Sequence, residues 1–370
     1  MHLVDVTMFW SGESGGVQRY LRAKSAHLAS HPEIRHTIVV PGTFTADPPQ
    51  VPGIPLPFSA GYRLPRNRAA VQRVLRNLGP DLIEAGDPYQ FAWAALRTGA
   101  ELGVPVTAFY HSDLPELAAR AFGEYGRLAA ASYVKRLYRR FNQVFAPSLH
   151  VANRLADLGI EQVTLQPLGV DTKLFDPAKR SPEWRLAHGI SPDAKLLLYV
   201  GRYASEKNLP VLVDAVARLG APYVLVTIGS GPHIPSGPRV IVLPYESDMD
   251  SLAAAYASAD AFVHAGDQET FGLAVLEALA SGVPVIGCKL GGIAELVDDS
   301  VGEAVEHCDA PEFAAAIEAV FERDRAVLSM HARERALRYD WQTVLQSLDA
   351  KYLALGRERV AAPYGAKRAA

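Results

Sequence analysis

Strand-like and helix-like segments alternate from one end of the chain to the other, and this alternation narrows the fold more than any other feature. Short runs rich in Val, Ile and aromatics, bounded by Gly, Pro, Asp or Asn, predict strands at His2–Met8, His36–Val40, Asp81–Ala85, Val104–Tyr110, Gln143–Ala146 and Gln162–Leu165. The second half repeats the theme at Lys195–Val200, Tyr223–Ile228, Val240–Leu243, Ala261–His264 and Val283–Gly287. Helical stretches lie between them: one after Gly16, a long one over about Pro115–Phe141, and others after Lys207, Asp248, Phe271, Gly292 and Pro311. Repeated βαβ units imply an α/β protein with parallel sheets, and two such series imply two Rossmann-like, doubly wound domains. In such folds ligands gather at the carboxyl ends of the strands.

The 370 residues are enough for two domains. The expected divisions are 1–167, 168–340, a helix over 341–356 that returns to the first domain, and a disordered tail over 357–370. Pro167–Pro177 reads as the linker, followed by a short helix with Ser181 as N-cap and Pro182 as its first residue. No apolar run approaches the roughly 20 residues of a membrane-spanning helix. The opening run His2–Phe9 has no basic flank, so no signal peptide is expected. Cys288 and Cys308 are the only cysteines, too few for a disulfide framework or a cysteine-rich zinc site. A cytoplasmic address, peripheral at the inner membrane face, is the expectation.

Net charge is −3, unevenly spread. Residues 1–167 hold 17 Lys and Arg against 13 Asp and Glu, and the remainder holds 20 against 27. The positive charge concentrates in two stretches, Arg63, Arg66, Arg68, Arg73 and Arg76, then Arg127, Lys135, Arg136, Arg139 and Arg140. These are either solvated helix faces or a surface for anionic lipid or an anionic acceptor. Nucleic acid is not expected as a partner, since the chain is acidic overall and carries no such motif.

Four places could carry chemistry. The loop Trp10–Gly16 (WSGESGG) lets backbone amides approach a ligand at a helix N-terminus, which suits phosphate, although a plain tight turn accounts for it equally well. Tyr110–Asp113 (YHSD) puts His111 at a strand end, where Asp113 could orient the imidazole. Val200–Asn208 (VGRYASEKN) puts Arg202 and Lys207 where a strand gives way to a helix, a place to neutralise a diphosphate. The segment Asp260–Gly282 (DAFVHAGDQETFGLAVLEALASG) is the strongest. Glu269 precedes a helix that Gly272 opens, and Glu277 lies about two turns in, so the pair can hold two parts of one extended ligand. The amides of Phe271, Gly272 and Leu273 are then placed to meet oxygens.

In order, the Gly15–Gly16 loop, His111, Gly201–Arg202 with Lys207, the turn Gly229–Pro232 (GSGP), and Glu269 with Glu277 resemble the retaining glycosyltransferases of family four, which have the GT-B architecture. The resemblance covers nearly the whole chain and is most specific over Tyr256–Leu296. It implies that Arg202 and Lys207 grip the donor diphosphate, Glu277 binds ribose, and Glu269 with the amides of Phe271, Gly272 and Leu273 holds the transferred sugar. It further implies that Gly15 and Gly16 approach the phosphate from an opposing domain. The Gly229 turn and Leu243–Glu246, with Pro244 and Tyr245, would border the nucleotide, and His111 would lie near the anomeric centre. The donor would be UDP-hexose or GDP-mannose, a co-substrate rather than a cofactor, with no metal. The acceptor would be a lipid, glycan or lipid-linked glycan. Two other readings remain: a sugar-nucleotide epimerase of the same architecture, and a non-catalytic nucleotide-sugar binder.

Overall fold

A computed structural model of the chain describes residues 1–12, 15–42, 49–56 and 61–357. The tail expected over 357–370 lies outside the described residues from 358 on. The chain divides into two units. One is Met1–Pro147 with Val151–Gln166 and the chain from Leu345, and the other is Ser148–His150 with Pro167–Val344.

Among the described residues the first unit holds β1 (His2–Val6), β2 (Arg35–Gly42), β3 (Gln50–Pro55), β4 (Arg63–Pro65), β5 (Leu82–Ala85), β6 (Val106–Phe109), β7 (Gln143–Ala146) and β8 (Val163–Leu165). They form one sheet in the order β4-β3-β2-β1-β5-β6-β7-β8, parallel except for β3 against β4. Because β2 and β5 flank β1, the strand order reverses there, which opens a crevice at its carboxyl end. Neither β3 nor β4 was legible in the sequence. Their segments QVPGIP and RLP carry prolines that confine them to the sheet margin. Strand β1 stops at Val6 rather than Met8 because the Met8 amide donates to Asp87 Oδ2 at 2.8 Å. The long helix runs Leu114–Tyr138 and is interrupted at Gly123, whose φ of 64° leaves the helical region.

The second unit's sheet has β9 (Lys195–Val200), β10 (Tyr223–Ile228), β11 (Val240–Leu243), β12 (Ala261–His264), β13 (Val285–Cys288) and β14 (Gly302–Val305) among the described residues. The order β11-β10-β9-β12-β13-β14 is wholly parallel, with the reversal at β9. Strand β13 begins two residues later than expected because the Val283 amide still closes the preceding helix on Ala278 O. β14 (GEAV) has no strand-like composition and is held by its partner: a Cβ at Gly302 would stand 1.8 Å from Val285 O.

Pro167–Pro177, read as the linker, starts where the second unit's main segment begins and is itself packed. Leu168, Val170 and Phe175 are buried, and the Arg333 guanidinium donates to Thr172 O, Phe175 O and the Asp176 carboxylate. The two cysteines are joined as a disulfide, because the β13/β14 register places Cys288 opposite Val305, three residues before Cys308. Ser181 does cap the helix Pro182–Ala187, accepting from the Trp184 amide at 3.0 Å. No helix among the described residues is long and apolar enough to cross a membrane.

Candidate functional site

In the second unit the site grows from the adjacency of β9 and β12. Their carboxyl ends lie side by side, so residues 62 apart in sequence meet: the Lys207 ammonium pairs with Glu269 Oε1. The loop after β9 ends at Asn208, which takes a left-handed φ of 49° and donates from its side-chain Nδ2 to Ala265 O at 3.0 Å. Asparagine tolerates that conformation better than other non-glycine residues. The bond ties the lysine's loop to the loop that carries the glutamate.

Glu269 is held from a second side by His264, the last residue of β12. The Gly266 amide donates to His264 Nδ1 at 3.1 Å, so the proton sits on Nε2, which faces Glu269 Oε1 at 3.2 Å. Burial alone would raise the Glu269 pKa. The Lys207 ammonium and the His264 bond override it and hold the carboxyl well below the ordinary carboxylate range. Sequence reasoning missed His264, Asn208 and the pair Gly291–Gly292. A Cβ on Gly291 would stand 2.5 Å from Glu269 O, and the Gly292 amide donates to that carbonyl at 2.7 Å. A polar residue ending a buried strand was the available signal for His264.

The remaining residues of this unit line up along the same sheet edge. Arg202, half exposed, donates to Glu206 Oε1 at 2.9 Å. Gly229 follows β10, and a Cβ there would stand 1.9 Å from Gly201 O, so the two strand-end turns touch through glycine. Pro244 and Tyr245 follow β11. Gly272 (φ 100°) is the N-cap of the helix Leu273–Ala280 and brings no capping side chain, and Phe271 packs edge-on to Tyr339. Glu277, read as a ribose acceptor, is buried and accepts from Tyr256 OH at 2.8 Å.

In the first unit Gly15 is the N-cap of the helix Gly16–Leu28, with room for a side chain around it. Glu13 and Ser14 of that loop lie outside the described residues. His111 follows β6 and stacks on Phe109, with centroids 4.4 Å apart and planes at 8°. A Cβ on Gly86 would meet both Thr7 and the imidazole, so the ends of β1, β5 and β6 converge on it. Asp113, read as its orienting group, caps the next helix and pairs with Arg154 at 2.8 Å. Burial and the Lys24 charge push the His111 pKa down to about 3, with Asp5 opposing.

The folded pKa thus lies below the ordinary 6.5, so the unfolded chain binds this proton first. Stability from His111 is present above pH 6.5 and is lost as pH falls toward 3. The expected result is a flat His111 Cε1–H NMR shift between about pH 8 and about pH 5. A midpoint inside that range would contradict the burial argument.

Among the described residues His27, His31 and Asp349 of the first unit have metal-ligand spacing, and none of the site residues above belongs to that group.

A family model described as "Glycosyl transferases group 1" matches residues 180–336, and one described as "Glycosyltransferase Family 4" matches residues 14–174. The chain is 34% identical over 298 residues to a protein of Mycobacterium tuberculosis named GDP-mannose-dependent alpha-mannosyltransferase, covering 78% of this chain and 76% of that one. A Corynebacterium glutamicum protein of the same name is 34% identical over 254 residues, covering 67% of this chain and 58% of its own length, so the match spans little more than half of that relative. Of solved structures, sucrose-phosphate synthase from Thermosynechococcus elongatus superposes with a TM-score of 0.79 at 22% identity, covering 96% of this chain and 98% of its own. Anabaena HepE in complex with UDP-glucose does so with 0.75 at 19%, covering 96% and 100%. At these identities the structural likeness shows the fold.

Proposed function

This chain belongs to the family-four glycosyltransferases of GT-B fold, and from that premise we propose that it moves a hexose from a nucleotide-sugar donor to an acceptor hydroxyl with retention of configuration. The observation that carries the proposal is the Lys207–Glu269 pair at the β9 switch point, with Arg202 on the same loop. In this reading Lys207 and Arg202 take the donor diphosphate and stabilise it as the anomeric C–O bond breaks. Glu269, kept ionised by its partners, accepts from the hydroxyls of the transferred sugar, and the amides from Phe271 to Leu273 add donors. Glu277 binds ribose. The acceptor hydroxyl loses its proton, its oxygen bonds to the anomeric carbon, and the nucleoside diphosphate leaves.

The relatives named for GDP-mannose favour that donor over a UDP-hexose. The relative named for phosphatidylinositol dimannoside, 28% identical over 375 residues, favours a glycolipid acceptor. We further propose peripheral contact with anionic membrane through Phe122, Tyr125 and Leu128, which project from the helix Leu114–Tyr138 at 76%, 88% and 54% exposure. Flotation with anionic vesicles tests this: Phe122→Ser/Tyr125→Ser should lower the bound fraction, and equal binding would refute it.

The first test is a thermal-shift or calorimetric screen against UDP, GDP, ADP and their sugar conjugates. One nucleotide should stabilise the protein, with GDP or GDP-mannose expected, and Lys207→Ala should weaken that binding and turnover together. No shift with any nucleotide would overturn the reading. Turnover unchanged by a chelator is the expected result if the two cations serve in place of a metal.

A further inference from the structure

The two basic stretches of the first unit, separated by about sixty residues of sequence, meet at one cavity. It is an open cavity of about 630 Å³, lined by Arg68 from the first stretch, Arg136 and Arg140 from the second, and Leu64, Tyr89, Gln90, Trp93 and Tyr133. Its back is rigid. Trp93 Nε1 donates to Tyr133 OH at 2.9 Å, and that hydroxyl donates to Pro88 O at 2.6 Å, which fixes both rings. Arg140 lies over the Trp93 ring at 5.6 Å, and Arg136 lies over both Trp93 and Tyr133 at 5.9 Å.

This mode of holding leaves the cations usable. A guanidinium over a ring carries five N–H donors, and the cation–π attraction uses none of them in a hydrogen bond. Among the described residues none of Arg68, Arg136 and Arg140 has an ion pair or a side-chain hydrogen bond, so those donors are not spent on an internal acid. The arginine cluster of the second unit is different in kind: Arg180, Arg185 and Arg325 all end on the Asp260 carboxylate, a cluster neutralised from within. Asp87, two residues before the cavity-lining Tyr89, is buried and accepts from the Met8 and Tyr89 amides. Gln90 opens the helix Gln90–Leu102, whose N-cap Tyr89 contributes no side-chain bond, so a helix N-terminus adds its partial positive charge.

We propose that this cavity binds the phosphate ester of a polyol or sugar, with the phosphate on Arg68, Arg136 and Arg140 and the ring near Trp93 and Tyr133. The chemistry is forked, in-plane donors for phosphate oxygens beside aromatic surface for the C–H face of a ring. The cavity accommodates a headgroup-sized ligand. If the transferase reading above holds, this ester is part of the acceptor, and the cavity would select acceptors that carry phosphate. Two sources share the chemistry: a free polyol phosphate and the headgroup of an anionic lipid.

The test is calorimetry on the full chain with inositol 1-phosphate, inositol and glycerol 3-phosphate, alongside flotation on phosphatidylcholine vesicles with and without phosphatidylinositol. Wild type should bind inositol 1-phosphate and not inositol. Arg136→Gln/Arg140→Gln should weaken that binding at least tenfold, and Arg136→Lys should lose less. The arginines are exposed, so thermal unfolding should be unchanged. Binding of the soluble ester assigns the free source. Flotation that requires phosphatidylinositol and both arginines, without soluble binding, assigns the lipid source. No binding in either arm, or binding that the double variant leaves intact, overturns the proposal. Nucleotide binding by the same double variant should equal wild type, which separates failure here from failure of the transferase reading.

Discussion

Glu269→Ala is expected to lower the rate of sugar transfer by about two to three orders of magnitude, the loss seen when one preorganised polar group at a reacting centre is removed, or about 2.7–4 kcal/mol of barrier. The structural grounds are its two partners. Lys207 and His264 both converge on Oε1, and together they keep a buried carboxyl ionised against its desolvation. A group held so firmly in its charged form costs little to reorganise when a donor sugar arrives. Removing it also strands the Lys207 ammonium, whose side chain is only 15% exposed, so some loss of folding stability is expected. Glu269→Gln separates the effects, because it keeps the volume and an acceptor oxygen but not the charge. If both variants fold and donor binding survives while transfer falls, the carboxylate acts on the sugar. Ordinary turnover in a folded Glu269→Ala protein would remove Glu269 from the site.

How far the sequence reached depended on how locally each feature is determined. The parallel strands Lys195–Val200, Tyr223–Ile228 and Ala261–His264 were readable to the residue, because a buried strand writes itself as a continuous apolar run, and the edge strand Val240–Leu243 was equally readable from its run of Val, Ile and Leu. β3, β4 and β14 were not, because proline, glycine and glutamate there obey their neighbours rather than their own propensity. The site divides the same way. Glu269 and Lys207 were visible as polar residues at strand ends, but their pairing depends on β9 lying beside β12, a fact of strand order that no local window contains. His264 was in plain view within an apolar strand, and only the Gly266 amide on its Nδ1 reveals which nitrogen carries the proton. The two basic stretches read either as solvated helix faces or as a surface for an anionic partner, and that Arg68 joins Arg136 and Arg140 at one cavity is again a consequence of packing.

Lys24→Met should destabilise the first unit by roughly 3–5 kcal/mol, the penalty for breaking a buried ion pair from one side. The lysine is almost fully buried, and its ammonium lies 2.8 Å from both Asp5 and Glu84, which are as deeply buried. Asp5 has a second partner in His36, and Glu84 also accepts from Tyr352 of the last helix at 2.8 Å, so the cluster joins β1, β5, the helix Gly16–Leu28 and the helix Trp341–Gly356. Burial would raise the Asp5 pKa, but Lys24 and His36 hold it below the ordinary range; the Glu84 pKa stays raised by burial despite Lys24. Without the ammonium both folded-state pKa values should rise. A raised carboxyl pKa contributes stability at low pH that is lost as pH rises, so the variant should fall furthest behind wild type at high pH. Urea unfolding at about pH 5 and about pH 8 therefore gives a gap that widens with pH. Adding Asp5→Asn and Glu84→Gln should flatten that dependence, since the uncompensated charges are then gone. A loss below about 1 kcal/mol, equal at both pH values, would mean that water reaches the cluster and the lysine is not what holds these elements together.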